Sequence, residues 1–406
     1  MQQKDHLDTI LDEDLILNPL SNKRSIYEYI WIDGDGNMRS KKRVTSLGAT
    51  DWNFDGSSTG QATGEDSEVI LKPRAKYRFV HAPGSPHWLV ICDTWHRFKT
   101  IGEDGKISYS ELMPALNNNR TAAAEIFDIP AVRDEHTWFG LEQEYFLQSM
   151  NISSEEYCRQ VENDSEINAG NFYCGVAAKS VHHNRESDLV HEHMQICIDM
   201  GINISGVNAE VAPTQWEFQI GPCEGIDAAD QLWAARFLLV KLASEYGYTV
   251  LFDPKLKGAT LQSVNGSGCH TNFSTRSMRK CPTKDVSQPL PLAENPEEQQ
   301  TIEQDPAAIR GNGVSEYIMT VIERLEKAHN EHMLVYGVGN DARMTGVCET
   351  AAFDQFSYGV GDRGASVRIP TDVFLNGYGY IEDRRPAANA DPYLVTSIIA
   401  QTAIIG

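Results

Sequence analysis

No C-x-x-C pair occurs among the eight cysteines of this 406-residue chain; Cys92, Cys158, Cys174, Cys197, Cys223, Cys269, Cys281 and Cys348 are scattered. That spacing argues against zinc ligands and a disulfide framework, and for reduced thiols in a cytosol-like compartment. Long apolar runs are also missing. Stretches such as WLVIC, Trp88 to Cys92, fall far short of the ~20 residues a bilayer-spanning helix needs. Basic residues are scarce, 35 Lys and Arg against 57 Asp and Glu, for a net charge of −22. So acidic a chain repels nucleic acid and anionic membranes, and neither is expected as a partner. There is no Walker-type G-x-x-x-x-G-K-[ST], so any use of ATP proceeds without the common phosphate loop. The first fourteen residues carry five acids and one lysine, which resembles neither a secretory signal nor an Arg-rich transit peptide. A cytoplasmic location is expected, with a plastid or mitochondrion open if a targeting segment has been removed.

What remains is an ordinary globular composition, 41% apolar and 23% charged, long enough for two or three domains. After an acidic leader over 1–24, SIYEYIWID (Ser25 to Asp33) and MRSKKRV flank the turn-rich DGDGN and read as a β-hairpin. EVILK (Glu68 to Lys72) and HWLVICDTW (His87 to Trp95) add strands, giving a small β-rich domain over 25–105. A larger domain over 110–406 mixes strands and helices. WFGLEQEYFLQ and NAEVAPTQWEFQIG read as strands, while ESDLVHEHMQICIDMG, DQLWAARFLLVKLASEYG and SEYIMTVIERLEKAHNEHM read as helices. Residues 281–313 hold five prolines and no sustained periodicity, the pattern of an inserted surface loop.

Some short patterns mislead. GVGDRG (Gly359 to Gly364) matches G-x-G-x-x-G but has no strand-to-helix setting. Asp33, Asp35 and Asn37 begin like a calcium loop, yet Met38 stands where glycine is required and Val44 where a bidentate glutamate is required. His191 and His193, two apart on a helix, point to different faces and read as surface or packing residues.

In WFGLEQEYFL, alternation places Glu142, Glu144 and Phe146 on one face of a strand. Two like charges ~4 Å apart at an effective dielectric of ~20 repel by ~4 kcal/mol. Glu210 and Glu217 follow in NAEVAPTQWEFQIG, Glu382 in GYIEDRRP and His270 in NGSGCHTNF. Five carboxylates and one imidazole suit Mg²⁺ or Mn²⁺ better than zinc; solvated strand edges would also account for each glutamate taken singly. Arg343, Arg363, Arg368, Arg384 and Arg385 fall within about forty residues, in Gly-, Ala- or Pro-containing segments. Such guanidinium groups suit carboxylate or phosphate capture, and equally plain surface solubility. Divalent metal, arginines and acids together point to phosphoryl transfer to or from a carboxylate-bearing substrate.

The blocks IWIDGDG, WNFDGSSTGQATGEDSEV, WFGLEQEY, YCGV, NAEVAPTQWEFQIGPCEGIDAADQLWAARF, GCHTNFST, DARMTG, GDRGASVRIP and GYIEDRRPAANADPY closely resemble eukaryotic-type glutamine synthetase, in family order. The resemblance implies an α+β chain: an N-terminal β-grasp domain, then a larger α/β catalytic domain of the glutamine synthetase/guanido kinase type. It implies ATP-dependent ligation of ammonia to the glutamate side chain through a γ-glutamyl phosphate, with two or three Mg²⁺ or Mn²⁺ per site. Residue by residue, it assigns Glu144, Glu210 and Glu217 to one metal and Glu142, His270 and Glu382 to another. Asn265, Gly266, Arg343 and Arg384 would meet glutamate; Asn272, Phe273, Ser274, Arg368 and Tyr380, with Glu217, would border the nucleotide. Arg363 would face the transferring phosphate, Glu349 would be the flap glutamate, and Asp55 would help bind and deprotonate ammonium. Asp55 would come from a neighbouring subunit of a homo-oligomer of stacked rings, expected to be a decamer. Ala342, Cys348 and Asp362 depart from common family residues without removing a group of named chemical role. A relative that ligates another amine, or a silent protein on the same scaffold, remains the competing reading at this point.

Overall fold

The computed structural model describes residues 24–79, 86–167, 171–176, 183–258, 264–280, 313–347 and 351–406. The leader, residues 281–312 of the inserted loop, and Glu349 lie outside these. The chain divides into two compact units, one of residues up to Ala122 with Gln195–Ile202, the other of Ala123–Met194 with Asn203–Gly406.

In the first unit, β1 (Ser25–Ile32) and β2 (Met38–Thr45) form the expected antiparallel hairpin. Its turn is closed by buried Asp33, whose Oδ1 accepts the Asp35 and Asn37 N–H groups at 2.9 and 2.8 Å while Oδ2 takes Arg39 Nε at 2.7 Å. The aspartates that imitate a calcium loop therefore build a turn. With β3 (Trp52–Asp55), β4 (Glu68–Phe79) and β5 (His87–His96) the sheet order is β2-β1-β5-β4-β3. β4 runs well beyond EVILK because Pro73 sits at a register irregularity, where its missing N–H is tolerated. Tyr27, Tyr29 and Trp31 pack with Phe54, Val69, Leu71 and Val90, each large side chain contributing about 1.5–3 kcal/mol on burial. A separate hairpin pairs β6 (Lys99–Ile101) with β7 (Ile107–Tyr109), and β8 (Met113–Pro114) pairs with β5.

The second unit is built on a mixed sheet of β9 (Trp138–Ser149), β10 (Ile204–Ala209), β11 (Gln215–Glu224), β12 (Tyr248–Leu251), β13 (Cys269–Ser274), β14 (Tyr358–Val360), β15 (Val367–Ile369) and β16 (Ile381–Asp383). Its order is β10-β11-β9-β13-β16-β15-β14, with β12 on the far part of β9. GVGDRG thus links strand to strand, as its lack of a helical setting predicts. Helix Asp227–Tyr246 packs on β9, β11 and β12 and ends at Gly247 at φ 81°. Helix Pro392–Ile404 packs against it and against helix Glu316–Lys327. Ile318, Val321, Ile322 and Leu325 are buried as their spacing predicts.

One expected helix is two. SEYIMTVIERLEKAHNEHM breaks at Ala328 (φ −92°, ψ 12°) and restarts as His329–Met333. The break turns two histidines inward. His329 Nε2 lies 3.0 Å from Phe353 O, and His332 bridges Tyr336 Oη at 2.6 Å and Thr402 Oγ1 at 2.8 Å. Tertiary hydrogen bonds here override helix propensity. Among the described residues no helix is long and apolar enough to cross a membrane.

Candidate active site

Register assembles the candidate site in rungs on one face of the large sheet. In an antiparallel pair, residues directly opposite each other project to the same side. Asn208 opposes Glu217, which opposes Glu144. The next rung aligns Gly206, Gln219, Glu142 and His270. A third aligns Gly140, Asn272, Glu382 and Arg368. The other face carries Leu141, Tyr145, Phe218, Ile381 and Val367, all buried. There Gln143 is gripped by Arg236, whose Nε donates to its Oε1 at 2.7 Å, while Gln143 Nε2 donates to Ala388 O.

Two donor groups result. Glu144, Glu210 and Glu217 are all buried, and Glu142, His270 and Glu382 form the second set; within each, one ligand atom per residue lies within 4.8 Å of the others. In the first, burial drives Glu144 well above the ordinary carboxyl range, with the charges of Glu210 and Glu217 pushing further. Burial also raises Glu210, and pushes Glu217 up to about 8 with help from Glu142. The charges of Arg343 on Glu144 and of Arg363 on Glu210 act in the opposite sense without cancelling the shift. Three carboxyls packed at this cost fit a hard divalent cation, whose charge would return them to the ionised form.

In the second group His270 Nδ1 lies 3.5 Å from Glu142 and 3.7 Å from Glu382. Burial, then the charge of Arg384, holds His270 well below its usual pKa, so the ring is neutral as a ligand requires. Glu142 Oε1 accepts Asn272 Nδ2 at 2.6 Å, and Glu382 pairs with Arg384 Nη1 at 2.7 Å and with Arg368. Arg343 is buried, donates to the carbonyls of Arg384 and Arg385 at 2.8 and 3.1 Å, and brings Nη2 to 3.2 Å from His270 Nε2. Burial lowers it to about 10, so it stays charged at neutral pH. Gly268 permits this approach: a Cβ there would stand 2.7 Å from Arg343 Nη2 and 2.8 Å from His270 Nε2. Asn265 and Gly266 lie in the segment just before Gly268, and Gly266 O accepts Gln215 Nε2 at 2.9 Å.

Beside these groups is a cavity of about 490 Å³. Its lining includes Glu142, Asn272, Ser274, Arg279, Arg368 and Tyr380. Phe273 lines it too, but its ring turns to the other side of the sheet, 5.2 Å from Phe139. Sequence reasoning missed Arg279 and Trp138, whose guanidinium and indole stack at 4.1 Å at the cavity wall. An aromatic residue opening a strand was the available signal.

Of the expected residues, both metal sets, Arg343, Arg368 and Arg384 come together. Arg363 lies on the turn between β14 and β15, and its carbonyl accepts Arg384 Nε at 3.1 Å. Arg385 departs from the rest of its cluster: it is fully buried in an ion pair with Asp383 at 2.7 Å. Asp55 belongs to the first unit, at the end of β3. It is exposed, and hydrogen bonds from Ser57 Oγ at 2.6 Å and Ser57 N–H at 3.0 Å lower its pKa.

Comparison with known proteins identifies relatives. Residues 118–287 match the family described as glutamine synthetase, catalytic domain. The chain is 43% identical to glutamine synthetase of Neurospora crassa over 390 residues, 94% of this chain and 92% of the relative. It is 43% identical to the glutamine synthetase cytosolic isozyme of Pinus sylvestris over 403 residues, 97% and 98% of the two chains. Against glutamine synthetase of Saccharomyces cerevisiae it is 43% identical over 386 residues, 93% and 89%.

Proposed function

This chain belongs to the glutamine synthetase family, and from that premise we propose that the polar face of the large sheet is where its reaction takes place. The protein is a glutamate–ammonia ligase: it joins ammonia to glutamate at the expense of ATP. The observation that carries the placement is the pair of donor groups: four carboxylates and one imidazole aligned on neighbouring rungs, with Glu210 just past the end of β10.

Glu144, Glu210 and Glu217 would hold one divalent ion and Glu142, His270 and Glu382 another, with Mg²⁺ or Mn²⁺ favoured by hard oxygen donors. Bound there, such ions supply Lewis acidity and offset phosphate charge. The cavity beside Asn272, Ser274 and Arg368 receives the nucleotide, with Trp138 and Arg279 offering flat surfaces to a base. Arg343 and Arg384 hold glutamate near Asn265 and Gly266, and Arg363 faces the phosphoryl group as it moves. The glutamate carboxylate takes the γ-phosphoryl group and ADP departs. Asp55 from a neighbouring subunit binds ammonium and accepts a proton. The freed ammonia attacks the acyl carbon, phosphate leaves with the nitrogen's surplus proton as HPO₄²⁻, and Glu349 excludes water meanwhile.

The finer organisation belongs to the same reading. It comprises a β-grasp domain over 25–105, a catalytic domain over 110–406 with 281–313 inserted, and a ring-stacked homo-oligomer, a decamer in the family pattern. A cytoplasmic location follows the pine relative's name. The test is phosphate release from purified protein. It should require glutamate, ammonium, ATP and Mg²⁺ together, and fall at least about 1,000-fold in Glu217→Gln and Arg363→Ala, the several kcal/mol such groups supply to a transition state. Turnover within threefold of the parent in both variants would refute these assignments, and equal rates with alkylamines would favour a different ligase.

A further inference from the structure

The three buried carboxyls of the first donor group are oriented by neutral amides from one hairpin. Gln219 Nε2 donates to Glu217 Oε1 at 2.6 Å, and Asn208 Nδ2 donates to Glu210 Oε1 at 2.9 Å. Gln215 Nε2 reaches Glu144 Oε2 at 3.4 Å and is anchored on Gly266 O at 2.9 Å. Backbone N–H groups of Gly268 and Val211 add to Glu144 and Glu210 at 2.7 and 3.2 Å. The contrast with Glu382 is chemical, since that carboxylate is held by Arg384 and Arg368. An arginine orients a carboxylate and cancels its charge; an amide orients it and leaves the charge for something else.

Gln219 occupies the central position of this arrangement. It stands opposite Glu142 and two residues from Glu217, so it lies between the two donor groups. Its side chain has a dedicated slot: a Cβ on facing Gly206 would come within 2.6 Å of Gln219 Oε1. Glycine there is a matter of space, because no residue larger than glycine leaves the amide where it is.

We propose that Gln219, seated against Gly206 and assisted by Asn208 and Gln215, is a positioning residue that aims the Glu144, Glu210 and Glu217 carboxylates at a divalent cation without neutralising them. This rests on the reading of that triad as a metal site and extends it to residues outside both donor groups, of which Gln219 also lines the neighbouring cavity, so binding is measured without nucleotide. Partners that orient metal ligands are worth about 10- to 100-fold in affinity.

The experiment is Mn²⁺ binding to the full-length protein without nucleotide, read by the EPR signal of free Mn²⁺, alongside the unfolding midpoint of each apoprotein. Gln219→Ala should weaken Mn²⁺ binding about 10- to 100-fold. Gly206→Ala, which keeps the amide and fills its slot, should weaken it in the same direction by less. Apoprotein melting should stay close to the parent's in both. Should Gln219→Ala fail to fold, Gly206→Ala and Asn208→Ala carry the test. Parent protein that binds Mn²⁺ and variants that bind it within twofold of the parent would overturn the role of the amides. Parent protein that takes up no Mn²⁺ would overturn the metal reading itself.

Discussion

Two acidic regions on opposite faces of the same sheet solve the problem of a buried carboxyl in opposite ways. Behind β16, Asp383 is fully enclosed and completely answered: Arg385 donates to both its oxygens at 2.9 and 2.7 Å, and Tyr336 Oη adds a third bond at 2.8 Å. Arg385 and these bonds hold its pKa below the usual range despite burial. In front, Glu144, Glu210 and Glu217 accept hydrogen bonds from amide and backbone donors, and burial drives their pKa values up although the charges of Arg343 and Arg363 oppose it. The first arrangement is finished when the chain folds. The second is poised, its carboxyls pushed toward the protonated form until a cation returns their charge. Glu186 adds a third solution, a proton. Its Oε2 accepts Trp216 Nε1 at 3.1 Å, its Oε1 has no hydrogen-bond partner among the described residues, and burial pushes it up to about 7.

Breaking the finished pair should cost most. Asp383→Ala leaves Arg385 buried without its carboxylate, and a loss of about 3–5 kcal/mol is expected. Urea unfolding without divalent ions would show it as a lower midpoint at unchanged slope; a loss below 1 kcal/mol would mean the pair is not a structural anchor.

The proton solution is next. Glu186 is raised in the folded state from 4.5 to about 7, so its contribution to stability is full below pH ~4.5 and is lost as pH rises through about 7. The difference is on the order of 3 kcal/mol. Glu186→Gln keeps the shape without the titration, so subtracting its stability profile between pH 5 and 8 from the parent's should leave a fall with rising pH. Parallel profiles would mean that Glu186 titrates like an exposed carboxyl. The smallest change touches neither region. Ser315, whose side chain caps helix Glu316–Lys327 at Ile318 N–H, should cost about 1 kcal/mol as Ser315→Ala. That loss sets the scale for the other two in the same urea assay, and no change at all would show that the cap is already replaced by water.

What could be read from the chain before folding follows the same division. Alternation in WFGLEQEYFL was enough to put Glu142 and Glu144 on one face, because that pattern is local. The first hairpin, Gly247 as a helix end and the apolar stripe of Glu316–Lys327 were legible for the same reason. Cross-strand partners were beyond period and propensity: Arg236 meets Gln143 across 93 residues, and Asn272 meets Glu142 across 130. The family's ordered blocks supplied the two metal sets, and neither of these pairings. The amides of β10 and β11 carry no charge and, although they lie within the block NAEVAPTQWEFQIG, none had a named role there, so nothing flagged them. Arg385 looked like its neighbours Arg384 and Arg368 because one residue of phase in the extended chain after β16 decides whether a guanidinium meets Glu382 on the polar face or Asp383 in the core.

That phase dependence has a practical corollary for anyone lengthening or trimming this enzyme. Linkers between strands can gain or lose residues while the rungs stay level. A single codon added within β9, by contrast, would swap Glu142 and Glu144 with Leu141 and Gln143, sending acids into the core and a leucine and an amide onto the acidic face at one stroke. Natural and engineered length variation should therefore accumulate outside the paired segments, where it leaves the catalytic alphabet in frame.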